Sequence, residues 1–268
     1  MSKIKLALVQ MKGFSDKDKT IEKMKKKVAE AAATGADIIV LPEMWNCPYG
    51  TKFFRDYGEY ENDSRSIKEL SALAKEFGVY LFGGTISELD VDKVYNTCYV
   101  FDRQGEIIGK HRKHHLFDVD IKGKMRFKES DVLSPGEDLT VVDTEFGKIG
   151  VAVCYDVRFA GDFNKMTKEM GALAFIVPAA FNTTTGPRFW QIIMQGRAVD
   201  NQSFIIACAP ALDDNAPYDA YGHSCVVSPW GEIIKMAEYE ETIVTAEIDL
   251  SEVMEARTQI PILNPTSL

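Results

Sequence analysis

The chain has 268 residues, of which 46% are hydrophobic and 26% charged, an ordinary composition for a soluble protein with a large core. Its 31 Lys and Arg residues against 40 Asp and Glu residues give a formal net charge of −9. This balance argues against a general nucleic-acid binder, which needs cations to replace phosphate counterions. The longest apolar stretch, Leu173–Phe181, is interrupted by Pro178 and is too short to cross a bilayer, so no membrane span is expected.

The cysteines indicate a reducing environment. They are odd in number, scattered and without CxxC spacing, at positions Cys47, Cys98, Cys154, Cys208 and Cys225. The N-terminal residues lead directly into a strand-like run, with no apolar segment typical of a signal peptide. We therefore expect free thiols and a cytoplasmic protein.

The first half of the chain reads as strands alternating with helices. Thr20 is predicted to cap the first helix and Gly35 to end it, because Ile21, Met24 and Val28 recur between them at helical spacing. The other elements predicted in this half are strands at Ile4–Gln10, Ala36–Leu41 and Val79–Phe82, a helix at Ser66–Phe77, and a hairpin of Tyr95–Phe101 with Glu106–Ile108.

The second half repeats this order. Its predicted elements are strands at Lys148–Tyr155, Leu173–Val177 and Ser203–Cys208, helices at Asp162–Met170 and Pro187–Asp200, and a hairpin of His223–Val227 with Glu232–Ile234. The tetrapeptide Gly-Glu-Ile-Ile occurs in both hairpins, at 105–108 and 231–234. Ordinary glycine turns would explain this match, but the shared element order favours a true repeat. We predict one α/β domain over residues 1–268, with two pseudo-symmetric halves whose sheets pack face to face and whose helices lie outside.

Three segments carry residues suited to acyl transfer. Cys154 ends an apolar run and is followed at once by polar residues, whereas a cysteine that is only a small buried hydrophobe would sit in continuing apolar sequence. Glu43 follows Leu41 and Pro42 at the end of another apolar run, and Lys113 lies in a cationic segment. A thiol, a carboxylate and an ammonium together suffice for acyl transfer through a thioester. Glu43 and Cys154 each follow a buried strand, and we expect them to occupy equivalent places in the two halves.

Metals and cofactors receive no support from the sequence. His111, His114, His115 and His223 are the histidines, and the first three are too close together to form a regular helical ligand face. No cysteine pair or HExxH motif accompanies them. The chain has neither a Walker A motif nor a GxGxxG motif after a strand. We therefore expect no metal and no cofactor.

These motifs resemble the nitrilase superfamily of carbon–nitrogen hydrolases over nearly the whole chain. Leu41–Glu43, Lys110–Lys113 and Gly150–Phe159 match its glutamate, lysine and cysteine segments in order. Further segments are similar to the omega-amidase branch, namely Cys47–Phe53, Tyr95–Thr97, His115–Asp118, Phe127–Ser130, Phe181–Asn182, Thr184–Pro187, Arg197–Gln202 and Tyr221–Ser224. The resemblance implies a four-layer α-β-β-α sandwich and a homodimer.

The resemblance also implies roles for particular residues. Cys154 corresponds to the nucleophile and Glu43 to the general base. Lys113 corresponds to the residue that supports the tetrahedral intermediate, with the backbone N–H of Tyr155 as a second donor. Glu129 corresponds to a second glutamate that orients the lysine and the substrate.

The omega-amidase likeness implies a small dicarboxylate monoamide as substrate, such as 2-oxoglutaramate or 2-oxosuccinamate. Its free carboxylate needs a cation, and Arg158 is the first candidate, although a structural ion pair with Asp156 or another acid is nearly as well supported. Tyr49 and Thr185 are further candidates for the substrate pocket. Two alternatives remain open: the same residues acting on an N-carbamoyl compound, a deaminated peptide amide or a nitrile, and a non-catalytic scaffold that works through a partner surface.

Overall fold

The computed structural model describes residues 3–123 and 125–263, which form sixteen β-strands and six α-helices. Strands β1 to β7 are Lys3–Gln10, Ile38–Val40, Glu59–Tyr60, Tyr80–Phe82, Ile86–Asp90, Lys93–Phe101 and Ile107–Arg112. Strands β8 to β16 are Asp118–Ile121, Met125–Lys128, Thr140–Thr144, Gly147–Val151, Ala174–Pro178, Phe204–Cys208, Cys225–Val227, Ile233–Met236 and Thr242–Asp249. Helices α1 to α6 are Lys17–Ala32, Thr51–Phe54, Arg65–Phe77, Ala160–Lys168, Gly186–Asn201 and Ser251–Gln259.

The two large sheets share a topology of six strands, to which the first sheet adds β5 and β3. The first has the order β16-β1-β2-β4-β6-β5-β3, with β7 also paired to β6, and the second has the order β10-β11-β12-β13-β14-β15. In each sheet three parallel strands (β1, β2 and β4, or β11, β12 and β13) are followed by an antiparallel hairpin. An antiparallel strand, β16 or β10, pairs with the first strand of each set. The predicted repeat is therefore present in the strand order.

The Gly-Glu-Ile-Ile tetrapeptides occupy matching turns. Gly105 and Gly231 both have a φ of 81°, which a residue with a side chain rarely adopts. The N–H of Gly105 donates to the Asp102 carbonyl at 3.0 Å, and the N–H of Gly231 donates to the Ser228 carbonyl at 2.9 Å. These shared contacts confirm that the two hairpins are copies of one structural unit.

The sheets form the middle layers of an α-β-β-α sandwich. Alternate residues of β1 point to opposite faces, so that Leu6 and Leu8 pack in one cluster with Val151 of the second sheet. Ala7 and Val9 pack in a different cluster, together with buried residues of α1 and α3. On the far side of the second sheet, Phe163 of α4 packs on Phe175 of β12 with ring centroids 4.7 Å apart. The predicted fold class is confirmed.

The expectation that Glu43 and Cys154 occupy equivalent places is wrong. Cys154 follows β11, whose counterpart in the first sheet is β1, whereas Glu43 follows β2, whose counterpart is β12. The residues that match Glu43 in the second half are those just after Pro178. One of them, Ala180, donates its backbone N–H to Glu43 Oε2 at 2.7 Å, so the equivalent loops of the two halves meet.

Two predicted boundaries are also wrong. Thr20 is not the N-cap of helix α1, which begins at Lys17. The N-cap is Asp16, whose side chain accepts from the Lys19 N–H at 3.2 Å, and the buried Thr20 hydroxyl donates to the Asp16 carbonyl. The strand predicted to continue to Tyr155 ends at Val151.

No helix among residues 3–123 and 125–263 is long and apolar enough to span a bilayer.

Candidate active site

The loop after β2 carries Glu43 into the interior. Pro42 ends the pairing of the strand, and the next turn is held by the Met44 N–H, which donates to Thr85 Oγ1 at 2.8 Å. Gly84, with a φ of 61°, packs directly beneath this loop, because a Cβ at that position would lie 2.1 Å from the Pro42 carbonyl oxygen. The close approach holds Glu43 at the edge of the first sheet, where it is 1% exposed.

Lys113 joins two buried carboxylates. Its Nζ lies 3.0 Å from Glu43 Oε1 and 2.9 Å from Glu129 Oε1, and both glutamate side chains are fully shielded from solvent. Lys113 follows the end of β7, where its backbone N–H donates to the Asn96 carbonyl at 2.8 Å. The three residues predicted from separate motifs, Glu43, Lys113 and Glu129, therefore form one network.

Both carboxylates accept further hydrogen bonds. Glu43 Oε1 accepts from Asn96 Nδ2 at 2.8 Å, and Glu129 Oε2 accepts from the Phe117 N–H at 2.7 Å. The Tyr49 hydroxyl lies 2.9 Å from Glu129 Oε1 and 3.3 Å from Glu43 Oε1. Because each carboxylate is held by several donors, neither can rotate without losing hydrogen bonds.

Cys154 lies in a sharp turn just beyond β11. Its φ of 48° is strained for a residue with a side chain, and such strain persists only where the surroundings enforce it. Buried Asp156 supplies this constraint, since Oδ2 accepts from the Val153 N–H at 2.9 Å and Oδ1 accepts from the His115 N–H at 2.7 Å. These bonds turn the chain before Tyr155 and explain why the strand is shorter than predicted.

The thiol of Cys154 is influenced by the whole network. Burial raises its pKa well above the ordinary value, and the negative charge of Glu43 adds to the increase, while Lys113 opposes it. Burial lowers the pKa of Lys113, but the charges of Glu129 and Glu43 outweigh this effect and raise it well above its usual value. At neutral pH the site therefore holds a protonated thiol beside a charged ammonium.

A narrow cleft opens onto Cys154, with a cavity volume of about 10 Å³, which is room for roughly one water molecule. It is lined by Phe117, Cys154, Tyr155, Arg158, Ala180, Phe181, Thr185 and Tyr218. Outside regular helices and strands, the backbone hydrogen bonds of the described residues include none donated by the Tyr155 N–H. That N–H is therefore a candidate donor to an oxygen in the cleft.

Arg158 presents its guanidinium to this cleft without a carboxylate partner among the described residues. The alternative partner, Asp156, is engaged instead by His111 Nε2 at 3.2 Å and by backbone N–H groups. The guanidinium carbon lies 4.6 Å from the ring centroid of Phe189 and 5.4 Å from that of Phe181. Burial lowers the pKa of Arg158, which is consistent with a cation that lacks a counterion.

Tyr49 and Thr185 are placed differently from each other. Thr185 lines the cleft, with its hydroxyl donating to Asn182 Oδ1 at 3.1 Å. Tyr49 contacts the two glutamates and borders a second, larger cavity that also includes Glu43. The structure thus brings Thr185 to the cleft and Tyr49 to the carboxylates.

Sequence reasoning missed Tyr218, which borders both cavities. Its hydroxyl donates to the Ala180 carbonyl at 2.5 Å, and its ring centroid lies 4.5 Å from that of Tyr49, with the two rings tilted by 39°. Tyr218 lies in a loop between β13 and β14, where no periodic pattern gives it a position. The sequence places Asn96 in a motif but does not indicate its contact with Glu43, which depends on the position of β6 in the first sheet.

The fold and this site together define an α-β-β-α protein of the nitrilase class. The model of the carbon-nitrogen hydrolase family matches residues 5–258, and the chain belongs to that family. It is 48% identical over 262 residues to omega-amidase NIT2-B of Xenopus laevis, and 44% identical over 262 residues to omega-amidase NIT2 of Homo sapiens. Each match covers 98% of this chain and 94% of the relative.

A solved structure shares the whole fold. Saccharomyces cerevisiae Nit3, described as a member of branch 10 of the nitrilase superfamily, superposes with a TM-score of 0.90 at 42% identity. The match covers 97% of this chain and 95% of that chain.

Proposed function

We propose that the chain hydrolyses a small amide that carries a free carboxylate, releasing ammonia through a thioester on Cys154. The observation that carries this proposal is the unpaired guanidinium of Arg158 in the same narrow cleft as the thiol. A cation left without a partner in a partly buried site matches a substrate that brings its own negative charge. The relatives named omega-amidases support the same reaction class.

The first step is attack of the Cys154 sulfur on the amide carbonyl carbon. Because the resting thiol is protonated, Glu43 takes its proton as the carbon–sulfur bond forms. The carbonyl oxygen becomes an oxyanion, which the Lys113 ammonium and the Tyr155 N–H stabilise. Glu43 then gives the proton to the nitrogen, the carbon–nitrogen bond breaks, and ammonia leaves a thioester behind.

The second step returns the enzyme to its resting state. Glu43 accepts a proton from water as the water oxygen attacks the thioester carbon, and the same two donors hold the second oxyanion. The carbon–sulfur bond breaks and the proton passes from Glu43 to the sulfur. Glu129 does not exchange a proton in either step, and its contact with Lys113 keeps the ammonium in position.

The thioester provides a direct test. We expect acid quenching during turnover of 2-oxosuccinamate or 2-oxoglutaramate to give protein whose mass exceeds that of the free enzyme by the acyl group, located on the peptide that contains Cys154. Cys154→Ala should remain folded, carry no acyl group and release no ammonia. A folded Cys154→Ala variant with normal ammonia release would refute the mechanism.

The role of Arg158 needs a comparison between two kinds of substrate. We expect Arg158→Met to raise KM for amides with a second carboxylate by tenfold or more, because a charge-assisted hydrogen bond contributes about 1.5–3 kcal/mol. Neutral amides of similar length are the control and should change little. Equal effects on both would leave thioester chemistry in place but remove the proposed specificity, and a panel of N-carbamoyl compounds and nitriles would then identify the substrate class.

We also propose that the chain forms a homodimer through α5. Phe189, Ile192 and Val199 are exposed on this helix, with 67% of Ile192 accessible, and exposed Trp230 lies beside them in the β14–β15 turn. The turn reaches the helix, since Gln195 Nε2 donates to the Gly231 carbonyl at 2.6 Å. A contiguous apolar patch of this kind on a globular protein is typical of a protein interface.

A further inference from the structure

Three side chains outside the proposed reaction lie close enough to share an ion. Each of His114, His115 and Asp162 offers one ligand atom, and these atoms all lie within 4.8 Å of one another. His115 Nε2 is 2.7 Å from Asp162 Oδ2. Within residues 3–123 and 125–263, this is the one group of three or more His, Cys, Asp or Glu side chains that meets such a distance limit.

His114 has a nitrogen that the protein itself does not satisfy. Its Nδ1 is buried and has no hydrogen-bond partner among the described residues. His111 differs, because its two ring nitrogens contact Thr140 Oγ1 and Asp156 Oδ2. A buried polar atom without a partner costs free energy, and its retention therefore calls for a partner from outside the chain.

We propose that His114, His115 and Asp162 bind a divalent transition-metal ion of the zinc type. Two imidazoles and one carboxylate suit Zn²⁺, Co²⁺ and Ni²⁺, whereas Mg²⁺ and Ca²⁺ prefer sites made wholly of oxygen. Bonds of about 2.1 Å place tetrahedral ligands roughly 3.4 Å apart, so the His115–Asp162 pair at 2.7 Å would move apart and the wider separations, which reach at most 4.8 Å, would shorten. Water would complete the coordination.

The ring packing around His115 favours a fixed ligand. His115 stacks on Phe159 with centroids 3.4 Å apart, and the His114 ring meets it edge-on at 4.5 Å. The His115 backbone N–H is held by Asp156. Two of the ligands follow Lys113 directly and the third lies in the first turn of α4, so a bound ion would join the lysine segment to the helix after Cys154.

His114 and His115 lie outside any helix, so the proposed ligands do not form a helical ligand face. The third ligand comes instead from Asp162, 47 positions beyond His115, in contact with it through the fold. This site takes no part in amide hydrolysis as proposed above. Metal binding and ammonia release can therefore succeed or fail independently of each other.

The test is a calorimetric titration of ZnCl₂ into tag-free protein in a Cys154→Ala background, which prevents binding by the active-site thiol. We expect one site per chain, a tighter site for Ni²⁺ than for Co²⁺, and no heat from MgCl₂. His114→Gln and Asp162→Asn should each weaken Zn²⁺ binding by at least about tenfold, because even outer contacts of metal ligands have effects of that size.

Glu169→Gln is the matched control, because it neutralises an exposed carboxylate at the other end of the same helix. It should bind Zn²⁺ as the Cys154→Ala parent does. Circular dichroism and thermal melting without metal would establish that all the variants are folded. Absence of binding at millimolar Zn²⁺, or equal affinity in the parent and all three variants, would overturn the proposal.

Discussion

Replacing Lys113 by methionine is expected to damage both stability and catalysis, by different routes. Methionine keeps much of the volume of the side chain but removes the ammonium that lies 3.0 Å from Glu43 and 2.9 Å from Glu129. Both glutamates are at most 1% exposed, so water cannot replace the lost charge. The variant therefore retains two buried carboxylates with no cation between them.

The magnitudes follow from this environment. Removing one partner of a buried ion pair costs about 3–5 kcal/mol in the free energy of unfolding. At roughly 2–3 °C per kcal/mol for a chain of this size, the melting temperature should fall by about 6–15 °C. Loss of an oxyanion donor should lower kcat by roughly 10²–10³-fold.

Glu129→Gln provides the matched second change. In Lys113→Met combined with Glu129→Gln, one of the two unpaired charges is gone, and we expect at least half of the lost stability to return while kcat stays low. Urea unfolding and ammonia release measure the two effects separately. If the double variant were no more stable than Lys113→Met, like-charge repulsion would not be the cause of the instability, and the reasoning would fail.

The pH dependence of Lys113→Met has a definite sign. Burial and the charge of Glu43 already raise the pKa of Glu129, and removing Lys113 takes away an opposing effect. A carboxyl group whose folded-state pKa is raised stabilises the fold below its unfolded pKa, and this contribution is lost as the pH rises through the folded pKa. The stability deficit of Lys113→Met relative to the parent should therefore be smaller at pH 5 than at pH 8 by urea unfolding.

Three further changes test the framework of the site. Gly84→Ala should lower the free energy of unfolding more than Gly78→Ala. Both glycines have a positive φ, but only at position 84 would a Cβ lie 2.1 Å from the Pro42 carbonyl oxygen. Equal losses of about 1–2 kcal/mol in urea unfolding would refute this. Burial alone would raise the pKa of Asp156, but its hydrogen bonds lower that pKa, so its contribution to stability is present above the usual Asp pKa and is lost as the pH falls. Asp156→Asn should therefore flatten the acid side of the curve of unfolding free energy against pH, and an unchanged curve would contradict this role of Asp156. Ile192→Asp should shift sedimentation from dimer to monomer, and an unchanged dimer would remove α5 from the interface.

The layered fold could be predicted because its signals are local. Buried parallel strands are short continuous apolar runs such as Ile38–Val40, and helices such as Arg65–Phe77 show clear spacing with a serine cap before them and Gly78 after. The repeated hairpin turns needed glycine at 105 and 231, where φ is positive. Each of these features depends on residues that are neighbours in the chain, so sequence patterns reveal them.

Contacts between distant segments could not be predicted. Strand β16 completes the first sheet by pairing with β1, so that Lys3 faces Asp249, and no periodicity indicates this partner. Tyr218 reaches the cleft from a loop, and Asp162 reaches His115 across 47 positions. The apolar run before Cys154 predicts a strand that continues to Tyr155, whereas the carboxylate of Asp156 decides where the strand ends.

The difference between the places of Glu43 and Cys154 explains how a two-fold repeat can build an asymmetric site. Equivalent loops of the two halves meet across the pseudo-symmetry, which is why the loop after β12 donates Ala180 N–H to the glutamate that follows β2. Had the nucleophile followed β12, it would have occupied the place of that backbone donor. A nucleophile that follows β11 instead leaves the donor in place, so the second half can hold Glu43 through Ala180 and also supply the thiol whose proton, in the mechanism we propose, Glu43 accepts.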